Sequence, residues 1–133
     1  MVILLLAAAL PAALTALFHP KRPVYELVLQ PGEVTLATVL AWEEGSVLWI
    51  DARDRTEFEE DHIPGAVLLN EDEWEALFFD FLEHDPLGRT LVVYCSSREC
   101  GSSHRVAERL RLDLGDGIEV HVLHGGWNAW TAR

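Results

Sequence analysis

Two cysteines, Cys95 and Cys100, stand in the segment Cys95-Ser96-Ser97-Arg98-Glu99-Cys100-Gly101-Ser102, and they are the only thiols of the chain. Two thiols in one segment make neither the disulfide framework of a small secreted scaffold nor a four-ligand zinc pattern. The apolar run Leu91-Val92-Val93-Tyr94 just before Cys95 reads as a buried strand. From about Ser103, Val106, Ala107 and Leu110 recur at helical spacing on one face. A sulfur between a strand end and a helix N-terminus meets backbone N–H groups and the positive end of the helix dipole, and both stabilise a thiolate. Cys95 is therefore the candidate nucleophile; the plainer alternative is a small hydrophobe that ends the strand. Arg98, His104 and Arg105 add positive potential near it and Glu99 opposes them. Three roles stand open for Cys100: a resolving thiol that forms a disulfide with Cys95, a second sulfur carrier, or a spare loop residue.

The elements that must position this loop follow from the apolar runs. Val47-Leu48-Trp49-Ile50 and Ala66-Val67-Leu68-Leu69 are two more short continuous runs, the first ending in the charged loop Asp51-Ala52-Arg53-Asp54. Val120-His121-Val122-Leu123 is a fourth strand, with Gly125-Gly126 and a last helical turn at Trp127 to Trp130 behind it. Between the strands, Thr35 is placed to cap a helix carrying Leu36, Val39 and Leu40 that runs to Gly45. Asn70 is placed to cap another, whose stripe Trp74, Leu77, Phe78, Phe81 and Leu82 reads as core. Residues 24–29 could form a first edge strand. Strands alternating with helices predict a parallel sheet covered on both faces, with its site beyond the carboxyl ends of the strands. Asp51, Cys95 and Gly125-Gly126 all fall at such ends.

Composition limits the function classes. The formal net charge is −12, from 22 acidic against 10 basic residues, and no Lys/Arg cluster occurs, so a phosphate backbone is repelled and nucleic acid is not an expected partner. No Gly-rich phosphate loop is present and the six histidines lack ligand spacing, so neither a metal nor a cofactor is expected. Residues 2–18 carry no charge and reach about 26 Å as a helix, enough for a short membrane span. The expected organisation is an anchor or signal segment over residues 1–22, a linker over 23–32 and one globular domain over 33–133. Lys21 and Arg22 place that domain in the cytoplasm if the segment is a retained anchor; cleavage near Ala13 or Ala16 would export it to the periplasm, and a buried helix is the third alternative.

Residues 47–69, VLWIDARDRTEFEEDHIPGAVLL, resemble the N-terminal signature of rhodanese-like domains: an apolar strand, Asp-x-Arg, Glu-Phe, then His-Ile-Pro-Gly-Ala. Residues 91–110 resemble that family's strand, active-site loop and helix, and residues 123–130 its closing Gly-Gly-Trp-x-x-Trp element. The resemblance covers roughly residues 33–130. It implies a doubly wound parallel sheet flanked by helices, here preceded by an N-terminal apolar helix. It also implies a sulfurtransferase that carries sulfane sulfur as a persulfide on Cys95, from thiosulfate or a thiol persulfide to cyanide or a thiol acceptor. Backbone N–H groups from Ser96 to Ser102 would then hold the sulfur's charge, with Asp51, Arg53 and His62 as structural supports and Trp127 and Trp130 as packing.

One departure matters. The family's commonest loop has an arginine five residues after the cysteine; here Cys100 takes that place, and the loop looks about two residues longer than usual. The same feature argues against phosphatase or arsenate-reductase chemistry, which needs a Cys-x5-Arg guanidinium to grip an oxyanion. Two further readings stay open: a rhodanese-like module that binds a protein partner without turnover, and a dithiol redox protein using Cys95 and Cys100.

Overall fold

The computed structural model describes residues 27–98 and 100–133. The apolar segment, residues 23–26 of the linker and Glu99 lie outside the described residues. The elements run β1 (Glu33–Val34), α1 (Leu36–Leu40), β2 (Val47–Asp51), α2 (Arg55–Glu60), β3 (Val67–Leu68), α3 (Trp74–Glu83), β4 (Thr90–Tyr94), α4 (Ser102–Leu114), β5 (Val120–Leu123) and α5 (Gly126–Thr131). All pairings are parallel, in the order β1-β5-β4-β2-β3. This is the helix-flanked parallel sheet expected from the alternating runs, doubly wound as the resemblance implies.

Alternation along the strands divides the interior into two layers. Leu91 and Val93 of β4 point with Leu48 and Ile50 of β2 into a larger cluster beneath Trp74, Leu77 and Phe81 of α3 and Val106, Ala107 and Leu110 of α4. Val92 and Tyr94 point the other way, toward Val39 of α1 and the indoles of Trp127 and Trp130 on α5. The register Asp51↔Tyr94 between β2 and β4 sets the end of β2 beside Cys95.

Several boundaries differ from the sequence expectation. Residues 27–29 form no strand; the edge strand is β1, where Glu33 pairs with Val122. Thr35 does cap α1, accepting from the Thr38 N–H at 3.2 Å, but the helix stops at Leu40 and Gly45 sits in a separate turn at φ +82°. The loop after β2 contains a helix, α2, begun where the Asp54 carboxylate accepts the Glu57 N–H at 2.8 Å. Asn70 caps a turn by accepting the Glu73 N–H at 2.9 Å, and α3 itself begins at Trp74. The α3 stripe is narrower than expected, because Leu82 is exposed.

Candidate active site

Cys95 leaves the end of β4 with 4% of its surface exposed. Its backbone is gripped from the far side of the sheet: the Trp127 N–H donates to the Cys95 carbonyl at 2.7 Å and the Asn128 N–H to the Ser96 carbonyl at 3.1 Å. That approach needs a glycine, because a Cβ at Gly126 (φ +54°) would collide with the Cys95 carbonyl. The Gly-Gly pair behind β5 signals this position in the sequence; the partner it approaches does not show there.

Cys95 and Cys100 are joined by a disulfide, with their Cα atoms 6.1 Å apart. The Cys100 N–H donates to the Ser97 carbonyl at 3.2 Å, which folds the loop back on itself. Helix α4 then starts at Ser102 with Gly101 as a cap that offers no side-chain acceptor, so its first N–H groups open on the loop. Ser96 lies against the disulfide, with Oγ 3.8 Å from the Cys95 sulfur. Arg98 is exposed.

Beside this loop sits a buried ion pair. The Arg53 guanidinium donates to both Asp51 carboxylate oxygens, at 3.0 Å from Nε and 2.7 Å from Nη2, with side chains 4% and 0% exposed. Arg53 also donates to the Asp61 carbonyl at 2.7 Å and lies 4.5 Å from the centre of the Trp127 ring. Burial opposes its charge, and the Asp51 carboxylate outweighs burial, holding the guanidinium above its ordinary pKa. Tyr94 completes the network, donating to Asp51 at 2.8 Å and accepting the Ile63 N–H at 3.1 Å. Burial and then the Asp51 carboxylate push its phenol up, so it stays a neutral donor. The pair ties together the loops after β2 and α2 with α5. His62 stacks on Phe58 and contacts the Phe58 carbonyl at 2.8 Å, away from the cysteines.

A second tie holds the first turn of α4. The Glu33 carboxylate lies 3.2 Å from His104 Nε2 and 3.0 Å from His124 Nδ1, with its side chain 5% exposed. Burial raises its pKa, but the Gln30 N–H and the two imidazoles outweigh that and hold the carboxyl below its ordinary value.

The disulfide faces a cleft of about 340 Å³ lined by Ala52, Arg53 and Asp54 after β2, Glu57 of α2, Asn70 to Asp72 after β3, and Cys95, Ser96, Cys100, Ser102 and Arg105. All these residues follow the carboxyl ends of strands, where sites of parallel sheets form. Its charge is acidic. Arg53 is committed to Asp51, and Arg105 donates to Glu71 at 2.8 Å, leaving Asp54, Glu57 and Asp72 as the lining charges without an ion-pair partner among the described residues. Ser97, Arg98 and Gly101 of the expected binding loop are not part of that lining, and among the described residues no group of side chains could hold a metal ion.

Comparison with known proteins agrees with this architecture. The model of the rhodanese-like domain matches residues 37–133. Thiosulfate sulfurtransferase GlpE of Pseudomonas savastanoi pv. phaseolicola is 34% identical over 91 residues, 68% of this chain and 76% of that protein. Among solved structures, a protein of Bacillus halodurans superposes with a TM-score of 0.60 at 22% identity, over 75% of this chain and 71% of that one. A thiosulfate sulfurtransferase of Pseudomonas aeruginosa gives 0.58 at 22% identity, over 84% of this chain and 21% of the other. With its parallel sheet, its cysteine at the end of β4 and a family match across most of its length, the chain belongs to the rhodanese-like domain family.

Proposed function

We propose that the reduced protein is a sulfurtransferase with Cys95 as its nucleophile. The observation that carries this reading is the position of Cys95, at the end of the central strand, on a cleft, and next to the uncapped start of α4. The Cys95 thiolate attacks the outer sulfur of a donor. With thiosulfate, the S–S bond of the donor breaks, sulfite leaves, and Cys95 holds the sulfur as a persulfide anion. Cyanide or a thiolate then takes the outer sulfur and returns the Cys95 thiolate. Backbone N–H groups at the start of α4 favour the anionic persulfide.

The cleft also bears on the donor. Asp54, Glu57 and Asp72 repel a dianion, so a thiol persulfide of low charge suits the lining better than thiosulfate does. Intact mass after exposure of the reduced full chain to a thiol persulfide or to thiosulfate tests the reading. A Cys100→Ser chain is expected to gain about 32 Da, the mass of one sulfur, and a Cys95→Ser chain to gain nothing. Absence of any adduct on the Cys100→Ser chain with both donors would refute the assignment.

A further inference from the structure

The disulfide joins the proposed sulfur-carrying atom to Cys100. From this we infer a further activity, resting on the sulfurtransferase reading: Cys100 discharges the Cys95 persulfide within the chain and releases hydrosulfide. In this step Cys100 gives its proton to the departing sulfur and attacks the inner sulfur, Cys95 Sγ. The Cys95–Cys100 bond forms, the persulfide S–S bond breaks, and its electron pair leaves on HS⁻. Persulfide sulfur is reduced to sulfide while the two cysteines are oxidised to the disulfide, so atoms and electrons balance. An external thiol or dithiol reductant resets the pair.

Three observations support discharge by Cys100. First, the bonded state is the product of attack on Cys95 Sγ, and a Cα separation of 6.1 Å lets the loop reach it. Second, Cys95 is 4% exposed, so an outside thiol has little access to its inner sulfur for the same discharge, whereas Cys100 lies on the same cleft. A thiol held in place acts at an effective concentration far above that of a free one. Third, Cys100 is half-buried on that cleft and therefore is the sulfur a reductant can reach to open the bridge. Leaving-group chemistry points the same way, because hydrosulfide departs more readily than an alkyl thiolate.

The test uses the reduced full chain without oxygen, loaded with excess thiosulfate, which carries no thiol that could do the work of Cys100. Wild type is expected to release about one sulfide per chain and to end about 2 Da lighter than the reduced protein, as the disulfide. Cys100→Ser and Cys100→Ala are expected to keep the added sulfur and release sulfide only after a thiol is supplied. A wild-type chain that holds its added sulfur as long as these variants overturns the inference and leaves the sulfurtransferase reading intact. So does added sulfur found on Cys100, which would make that residue a relay. If the Cys100 variants take up no sulfur from thiosulfate or from a thiol persulfide while retaining native helical circular dichroism, both readings fall together.

Discussion

Arg53 and Asp51 exchange charge for charge in a place neither could occupy alone. A buried carboxylate left without its cation is costly, and the hydrogen bonds from Tyr94 and the Arg53 N–H to Asp51 do not replace a full positive charge. Arg53→Met should therefore destabilise the domain by about 3–5 kcal/mol, read from urea denaturation midpoints. A loss below about 1 kcal/mol, the level of a surface pair, would show that the pair contributes little to the fold. Gly126 is constrained differently. Its φ of +54° disfavours a side chain, and the Cys95 backbone stands where a Cβ would go. Gly126→Ala should cost about 2–4 kcal/mol and slow sulfur loading of Cys95, because the Trp127 N–H then loses its grip on the Cys95 carbonyl. Unchanged loading in a folded Gly126→Ala chain would mean that the grip does not position the thiol.

At the scale of elements, α2 shows what a single residue does in two capacities. Asp54 starts the helix by accepting the Glu57 N–H and also contributes a negative charge to the cleft. Asparagine keeps the cap and removes the charge, whereas alanine removes both. Asp54→Ala should cost about 1 kcal/mol of stability and Asp54→Asn a few tenths at most. Both should raise the rate of loading by thiosulfate roughly two-fold, as expected from one charge several ångströms away in screened water. Equal stability of the two variants would remove the capping role. This helix was not legible in the sequence because Arg-Thr-Glu-Phe-Glu-Glu has one apolar residue and hence no period. The strands β2 to β5 were legible, since both faces of each are buried and the runs are continuous. Edge strand β1 was not, being two residues long and recognisable only by its pairing with β5. For the site, the place of Cys95 at a strand end could be read directly. The bond to Cys100 was one of three open roles, because the path of the loop depends on the Ser97 turn. The acidic lining was hidden, as Asp54 and Glu57 come from α2 and its cap and Asp72 from the loop after β3, which only the strand order brings together.

For the whole molecule, the formal charge of −12 sets a field that the cleft does not reverse. The cation of its lining not committed to Asp51 is Arg105, which is 59% exposed at its side chain and paired with Glu71. Thiosulfate, a dianion, thus meets repulsion from the surface and again from Asp54, Glu57 and Asp72. The range of that repulsion shrinks from about 30 Å at 0.01 M ionic strength to about 8 Å at 0.15 M. Loading of the Cys100→Ser chain by thiosulfate should accordingly rise by roughly ten-fold across that interval, while loading by a thiol persulfide with a single negative charge should rise by only about three-fold. The two donors check each other, because an effect of salt on the fold or on the thiolate would change both rates by the same factor. A thiosulfate rate that falls with salt would mean that a local attraction governs capture. Arg105 would then be the group gripping the donor, and the preference for a donor of low charge would be lost.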